Sequence, residues 1–120
     1  MAQILVVDDS ASMRNMVTAT LQSAGHQVQS AGDGQAALTI AKTAKFEAVV
    51  TDLNMPIMDG IELVRHLRTL PDYKYTPILL LTTESSADKK TQGKQAGATG
   101  WLVKPFNPEK LLATVAKVLS

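Results

Sequence analysis

The sequence predicts an α/β protein in which a doubly wound parallel sheet of five strands is covered by helices. Four continuous apolar runs, at residues 4–7, 48–51, 78–81 and 101–103, are typical of strands buried on both faces of such a sheet. Helical patterns alternate with these runs, and that alternation places helices on both faces of a parallel sheet. A polar residue with useful chemistry follows each run directly.

The first half of the chain contains three predicted elements after the strand at 4–7. A helix follows with apolar residues at helical spacing, and Gly25 is a typical stop for it. Its apolar positions are Met13, Met16, Val17 and Leu21. Residues 27–31 form a short, more polar stretch, which predicts an edge strand. Asp33 and Gly34 then open a second helix.

The second half repeats the strand–helix alternation three times. Asp59 is predicted to cap the third helix, and Asn107, followed by Pro108, is predicted to cap the fifth. The fourth helix, 86–96, has almost no apolar stripe and carries Gly93 in its middle, where glycine disfavours helix. It is either a solvated, weakly anchored helix or a mobile polar surface for a partner. Its lysines would favour acidic contacts; they are Lys89, Lys90 and Lys94.

Right-handed crossovers leave few topologies for five strands. Since the polar second strand belongs at an edge, the strand order 2-1-3-4-5 fits best.

Composition limits the classes of function. The 120 residues suffice for one domain, with 45% apolar content. Twelve basic residues nearly balance eleven acidic ones, and without a dense basic run nucleic acid is not an expected partner. The absence of cysteine excludes disulfides and thiolate metal sites. Neither a secretory signal nor a membrane-length apolar stretch is present, so a cytoplasmic protein without membrane contact is expected.

The strand ends predict a site that binds a cation. Ligands bind outside the carboxyl ends of strands in open parallel sheets, and Asp8, Asp9 and Asp52 all follow strands. Three buried carboxylates repel one another, and a hard divalent cation such as Mg²⁺ removes that conflict. The alternative is that Asp8 and Asp9 only cap the next helix. A cap needs one residue, however, and leaves the third carboxylate unexplained.

The same edge could also handle a phosphoryl group. Asp52 could be a nucleophile, because carboxylates accept phosphoryl groups as acyl phosphates. Asn54 could offer its backbone carbonyl to the metal, Lys104 could neutralise phosphoryl oxygens, and Thr82 could donate a hydrogen bond to one. Taken singly, Thr82 is typical of a strand end and Lys104 of a surface. Pro105 could follow a cis bond that aims the lysine inward.

These motifs together resemble the receiver domain of two-component response regulators. The likeness rests on four segments in the family's order: 6–10 (VVDDS), 51–60 (TDLNMPIMDG), 81–84 (LTTE) and 104–106 (KPF). It covers the whole chain and is closest to the chemotaxis regulators of the family. It implies a flavodoxin-like fold, for which the order 2-1-3-4-5 is known.

The resemblance implies a role for each site residue. Asp52 would accept a phosphoryl group from a histidine kinase of the CheA type. Asp9, Asp52 and the Asn54 carbonyl would bind Mg²⁺, and Asp8 would position a metal-bound water. Lys104 would pair with the phosphoryl group. Thr82 would move toward it and signal that it is present.

Three further positions carry expectations from the family. Trp101 holds the place of an aromatic, more commonly Tyr or Phe, that moves inward with the threonine, and the bulk of indole argues against the usual inward rotamer. The alternative is an ordinary packed aromatic on an edge strand. Asn54 and Glu84 stand where family members tune hydrolysis of the acyl phosphate, and both are polar here, which suggests a short-lived phosphoryl group.

The leading interpretation is a monomeric, single-domain receiver over residues 1–120 without an output domain. It would signal by binding through the fourth helix, the fifth strand and the last helix, a surface that includes Lys89, Lys90, Lys94 and Trp101. The expected partners are the kinase, the flagellar motor switch protein and a phosphatase. The chain would dephosphorylate itself weakly but would not be a dedicated enzyme.

Three alternatives remain open. The first is a phosphate sink or a regulator outside flagellar signalling. The second is a Mg²⁺-dependent phosphatase, which Asn54 argues against because such enzymes need a carboxylate at that position. The third is a phosphorylation-independent interaction module, which the complete set of site residues argues against.

Overall fold

Five strands alternate with five helices in the computed structural model, which describes residues 2–83 and 87–120. The strands are β1 Gln3–Val7, β2 Gln27–Ala31, β3 Ala48–Asp52, β4 Ile78–Thr82 and β5 Gly100–Val103. The helices are α1 Ala11–Ser23, α2 Gly34–Thr43, α3 Gly60–Arg68, α4 Ala87–Ala96 and α5 Pro108–Leu119, with a 3-10 turn at Pro71–Tyr73. All strand pairs are parallel, in the order β2-β1-β3-β4-β5, so the predicted fold class and topology are confirmed.

The sheet divides the hydrophobic core into two layers. Successive residues of a strand point to opposite faces. Leu5 and Val49 therefore join the layer beneath α2 and α3, whereas Ile4 and Val50 join the layer beneath α1 and α5. Every residue of β3 and β4 is buried, as the unbroken apolar runs predicted.

The outer strand β2 pairs with β1 alone and exposes three of its five residues. A half-solvated strand needs little apolar content, which explains its polar sequence. The prediction of an edge strand at Gln27–Ala31 is therefore confirmed.

Side-chain caps fix where the helices begin. The predicted caps Asp59 and Asn107 accept N–H bonds at 2.8 and 3.1 Å from residues three positions later. Asp33, which was predicted to open α2 together with Gly34, accepts a bond of the same kind at 2.8 Å. Helix α1 buries Val17 and Leu21 but leaves Met16 54% exposed, so the prediction that Met16 belongs to the apolar face was wrong. The buried stripe follows the i, i+4 spacing, and residue 16 lies outside it.

Helix α4 is polar, as predicted, and buries only Gly93 among its residues. A methyl group at Gly93 would lie 2.8 Å from Leu80 Cδ1 and 3.4 Å from Trp101 Cζ3, so glycine lets the helix approach the sheet. The predicted first residue of this helix, Ser86, lies outside the described residues.

Arg68 at the end of α3 anchors the far end of α4. Its guanidinium donates hydrogen bonds to the carbonyl of Gly97 at 2.7 Å and to those of Tyr73 and Thr76 at 2.7 and 2.6 Å. A single side chain thus ties the loops before β4 and β5 together.

Within the described ranges, the helices all fall short of the length and apolarity that crossing a membrane requires.

Candidate functional site

Three carboxylates meet at the carboxyl edge of the sheet. Asp8 and Asp9 follow β1 and Asp52 ends β3, and the register places Val7 beside Thr51. One oxygen from each carboxylate lies within 4.8 Å of the others. Asp8 and Asp52 are 2% and 7% exposed, whereas Asp9 faces solvent.

Asp8 and Asp9 do not cap α1, so the capping alternative is wrong. The cap is Ser10, whose Oγ accepts the Met13 N–H at 3.3 Å. Asp8 instead bends the loop, because its Oδ1 accepts the Ser10 N–H at 2.9 Å. Its own N–H donates to the Ala31 carbonyl at 3.1 Å. These bonds fix the Asp8 carboxylate toward the cluster.

Arg14 holds this loop from the first turns of α1, and sequence analysis missed it. Its guanidinium donates a 2.7 Å hydrogen bond to the Asp8 carbonyl. The signal in the sequence that could have revealed Arg14 is its position near a helix N-terminus, where the helix dipole disfavours positive charge. Such a residue needs a compensating partner, and here the partner is the loop that carries Asp8 and Asp9.

Lys104 reaches into the cluster from the end of β5. Its Nζ lies 3.0 Å from Asp8 Oδ2 and 3.3 Å from Asp52 Oδ1, and its side chain is 13% exposed. Its N–H donates to the Thr82 carbonyl at 2.8 Å. The Lys104–Pro105 bond is cis, as proposed from the sequence. Lys104 is therefore not an ordinary surface lysine.

The site is electrostatically unbalanced. Burial and the neighbouring Asp8 charge raise the pKa of Asp52 above its ordinary value, although Lys104 and the Leu53 N–H oppose the shift. Burial alone would lower the pKa of Lys104, but the hydrogen bond to Asp8 and the charges of Asp52 and Asp8 outweigh it, and the pKa is raised. Among the described residues, three clustered carboxylates face one ammonium, which leaves an excess of negative charge at the site.

The donor set fits Mg²⁺. Clustered carboxylate oxygens with excess negative charge are the ligands that this hard cation prefers, and it keeps part of its water shell at such sites. The exposed position of Asp9 leaves the cluster open to water and to a phosphoryl group.

The remaining predicted residues flank this cluster. Thr82 is fully buried at the end of β4, next to Val103 in the register. Asn54 is exposed in the loop after β3, which the 2.8 Å bond from the Gly60 N–H to the Leu53 carbonyl closes. Glu84, the other predicted tuning residue, lies outside the described residues.

Trp101 lies apart from the carboxylates, on β5 beside α4. Its half-buried ring packs against the core layer beneath α2 and α3, in the space that Gly93 leaves. Its Nε1 is buried and has no hydrogen-bond partner among the described residues. A cavity of about 340 Å³ lies next to it and is lined by Lys90, Lys94, Ala98, Thr99, Gly100 and Trp101. The predicted surface residues Lys90, Lys94 and Trp101 therefore share one groove.

The fold and this edge together define a doubly wound α/β domain with an acidic cation site at the carboxyl ends of its strands. Residues 4–116 match the family described as the response regulator receiver domain. The chain belongs to this family, as the sequence motifs predicted.

Three relatives illustrate the similarity. The chain is 38% identical to chemotaxis protein CheY-3 of Vibrio cholerae, covering 97% of this chain and 90% of that protein. It is 56% identical to the solved structure of V. cholerae chemotaxis protein CheY4, with a TM-score of 0.96 and 99% of each chain covered. A third structure, the receiver domain of a Pseudomonas aeruginosa sensor histidine kinase, has a magnesium ion coordinated in its active site cleft. It is 27% identical, with a TM-score of 0.91 and coverage of 98% and 97%.

Family membership makes the chain a phosphoacceptor domain rather than a classical enzyme, and it implies a cognate histidine kinase. The acidic cluster agrees with the Mg²⁺ site typical of receivers.

Proposed function

We propose that this chain is a chemotaxis receiver that accepts a phosphoryl group on Asp52 from a histidine kinase and then changes its affinity for a partner. The observation that carries the proposal is the position of Lys104 Nζ, 3.0 Å from Asp8 and 3.3 Å from Asp52. A phosphoryl group on Asp52 would meet this ammonium directly. The likeness to CheY-3 and CheY4 supports the chemotaxis role.

Asp52 is the proposed nucleophile. Its Oδ1 accepts the Leu53 N–H at 2.9 Å and faces Lys104, so we assign the attack to Oδ2. Asp9, Asp52 and the Asn54 carbonyl would hold Mg²⁺, and Asp8 would position a coordinated water. Bound Mg²⁺ supplies positive charge that offsets the carboxylates and the phosphoryl oxygens.

Lys104 and Thr82 are the proposed readers of the phosphoryl group. The Lys104 ammonium would exchange a carboxylate oxygen for a phosphoryl oxygen, a stronger charge-assisted contact. The Thr82 hydroxyl would turn toward the same group. Because Lys104 N–H bonds to the Thr82 carbonyl, the two strand ends would move together.

The proposed output surface is the groove between α4 and β5. It contains Lys90, Lys94 and Trp101 around the 340 Å³ cavity. We propose that an acidic segment of the flagellar motor switch protein binds there.

Since Asn54 and Glu84 are polar, weak self-dephosphorylation would end the signal, with or without a phosphatase. A phosphoryl lifetime of many hours in Mg²⁺ would contradict that step.

We further propose that this domain works in the cytoplasm as a monomer. The support for the location is family membership, since a receiver domain must meet its histidine kinase.

Phosphorylation is tested with phosphoramidate and Mg²⁺. We expect a mass increase of one phosphoryl group in the wild type and none in Asp52→Asn. Labelling of Asp52→Asn to the wild-type extent would overturn the assignment.

The output is tested by measuring binding of beryllofluoride-treated protein to purified flagellar switch protein. Binding that does not strengthen with beryllofluoride would instead favour a phosphate sink.

A further inference from the structure

Ile57 has a backbone conformation that isoleucine rarely adopts. Its φ is 72°, and it is the one non-glycine residue with a positive φ in ranges 2–83 and 87–120. The Met58 N–H donates to the Pro56 carbonyl at 2.7 Å, which closes a γ-turn around Ile57. A γ-turn with positive φ is the strained form of this turn, and a β-branched side chain adds to the strain.

Packing of the Ile57 side chain does not compensate for this strain, because the residue is 78% exposed. The next residue, Met58, is instead held in place by its neighbours. Met58 is 8% exposed and lies so close to Gly34 that a methyl group there would be 2.8 Å from the Met58 carbonyl oxygen. The loop therefore holds an apolar side chain out into solvent on a rigid base. Strain of this kind is often found at functional sites.

The position of Ile57 relates it to Asp52. The loop leaves β3 directly after Asp52, so its tip stands at the edge of the sheet that carries the carboxylates. Asp52 itself is only 7% exposed. A small phosphoryl donor can enter this cleft freely, whereas a protein donor must come to rest on the surrounding loops.

We propose that Ile57 is a docking contact for the protein that delivers the phosphoryl group from a phosphohistidine. The inference rests on the function proposed above. The P–N bond of the phosphohistidine breaks as a P–O bond to Asp52 forms, and the imidazole keeps the electron pair and takes up a proton. Ile57 takes no part in this chemistry. It contacts an apolar patch next to the phosphohistidine and so favours protein donors over small ones.

The test compares two donors on the same variants. The protein donor is a phosphohistidine-bearing kinase domain chosen because it labels the wild type, and the small donor is phosphoramidate. Asn tolerates positive φ, so Ile57→Asn removes the apolar contact without adding backbone strain. We expect kcat/KM with the protein donor to fall about tenfold, mainly through KM, as loss of one buried aliphatic contact implies. Labelling by phosphoramidate should stay within about twofold of wild type.

Ile57→Val keeps an apolar side chain and should retain most of the rate with the protein donor. The matched control is Tyr75→Ser, which removes an 86% exposed apolar residue before β4, at the opposite edge of the sheet. It should behave as wild type with both donors. Wild-type rates for Ile57→Asn with the protein donor, or equal losses with both donors, would overturn the proposal. Failure of the wild type with phosphoramidate would instead refute the proposed function.

Discussion

At the residue scale, Lys104 is the positive charge that allows Asp8 and Asp52 to be buried side by side. Its ammonium contacts both carboxylates while only 13% of its side chain is exposed. A cation bound at the cluster would therefore compete with Lys104 for the same oxygens. The lysine stabilises the metal-free protein and lowers its affinity for a cation.

We expect Lys104→Met to separate these two effects. Without the ammonium, two buried carboxylates repel each other, and the metal-free variant should lose about 3 kcal/mol of unfolding free energy. Its affinity for Mg²⁺ should rise, since the competing charge is gone. Urea unfolding with EDTA and with saturating Mg²⁺ measures both. The exposed Lys117→Met is the control, and weaker Mg²⁺ binding by Lys104→Met would contradict the competition.

Two residues at the site show why sequence could not predict everything. Asp8, Asp9, Asp52 and Lys104 were predicted to meet because strand ends in a parallel sheet share an edge. The bond from Arg14 to the Asp8 carbonyl depends on how α1 sits against the loop, which no local pattern specifies. Ile57 in a left-handed conformation runs against its own backbone preference, so propensity would predict the opposite.

At the element scale, Tyr73 joins the 3-10 turn to the end of α2. Its hydroxyl lies 2.8 Å from the Ala41 carbonyl and 2.6 Å from that of Ala44, and it accepts the Phe46 N–H at 3.3 Å. Burial, helped by the charge of Asp72, raises the pKa of Tyr73 against the opposing effect of the Phe46 N–H. The hydroxyl can donate a hydrogen bond to the carbonyls at the end of α2 only while it is protonated. The link between the 3-10 turn and α2 therefore depends on the neutral phenol.

We expect Tyr73→Phe to cost about 1–2 kcal/mol at neutral pH, because buried polar groups lose their partner. The raised pKa means that this contribution is fully present below the unfolded pKa of about 10 and is lost as the pH rises through the folded value. The difference in unfolding free energy between Tyr73→Phe and the wild type should therefore become smaller as the pH rises. Urea unfolding from about pH 8 to 11 tests this. Tyr75→Phe, at an 86% exposed position, should show no such difference.

Helix α4 and strand β5 meet where Gly93 faces Trp101. The methyl group of an alanine would lie 2.8 Å from Leu80 Cδ1 and 3.4 Å from Trp101 Cζ3. Leu80 is fully buried and cannot easily retreat, so α4 must lift away from the sheet, and its contact with the indole loosens as well. The glycine that weakens α4 as a helix also leaves room for the indole to pack against the core layer beneath α2 and α3.

We expect Gly93→Ala to lift α4 off the indole, to expose the ring to solvent and so to shift the emission of the single tryptophan to the red. Overpacking costs about 1–3 kcal/mol and alanine returns about 1 kcal/mol of helix propensity, so a net loss of about 1 kcal/mol should remain. In a Trp101→Phe background the smaller ring should remove only the part of this cost that comes from the contact with the indole, since the contact with Leu80 remains. A double-mutant cycle without coupling between the two positions would show that they do not share this space.

At the scale of the whole molecule, the net charge of +1 is the sum of regions that differ in charge. Residues 87–120 carry six lysines and only two acids, Asp88 and Glu109, whereas the carboxylate cluster lies at the ends of β1 and β3. Sequence predicted well where Asp8, Asp9, Asp52 and Lys104 meet, because these residues adjoin strands that hydrophobicity reveals. It pointed to the groove beside α4 only through its lysines, because the cavity beside Trp101 arises from the packing of α4 on β5.

This division of charge predicts how the proposed output depends on salt. Reversing Lys90 and Lys94 to Glu should weaken binding of the activated protein to an acidic partner and flatten its salt dependence, since rim charges act through long-range attraction. Phosphoramidate labelling should not change, because both lysines lie apart from the carboxylates. Reversing Lys42 and Lys45 is the matched control, since either pair takes the net charge from +1 to −3. Equal weakening by both pairs, measured by titration calorimetry at several salt concentrations, would mean that net charge and not the α4 groove controls the association.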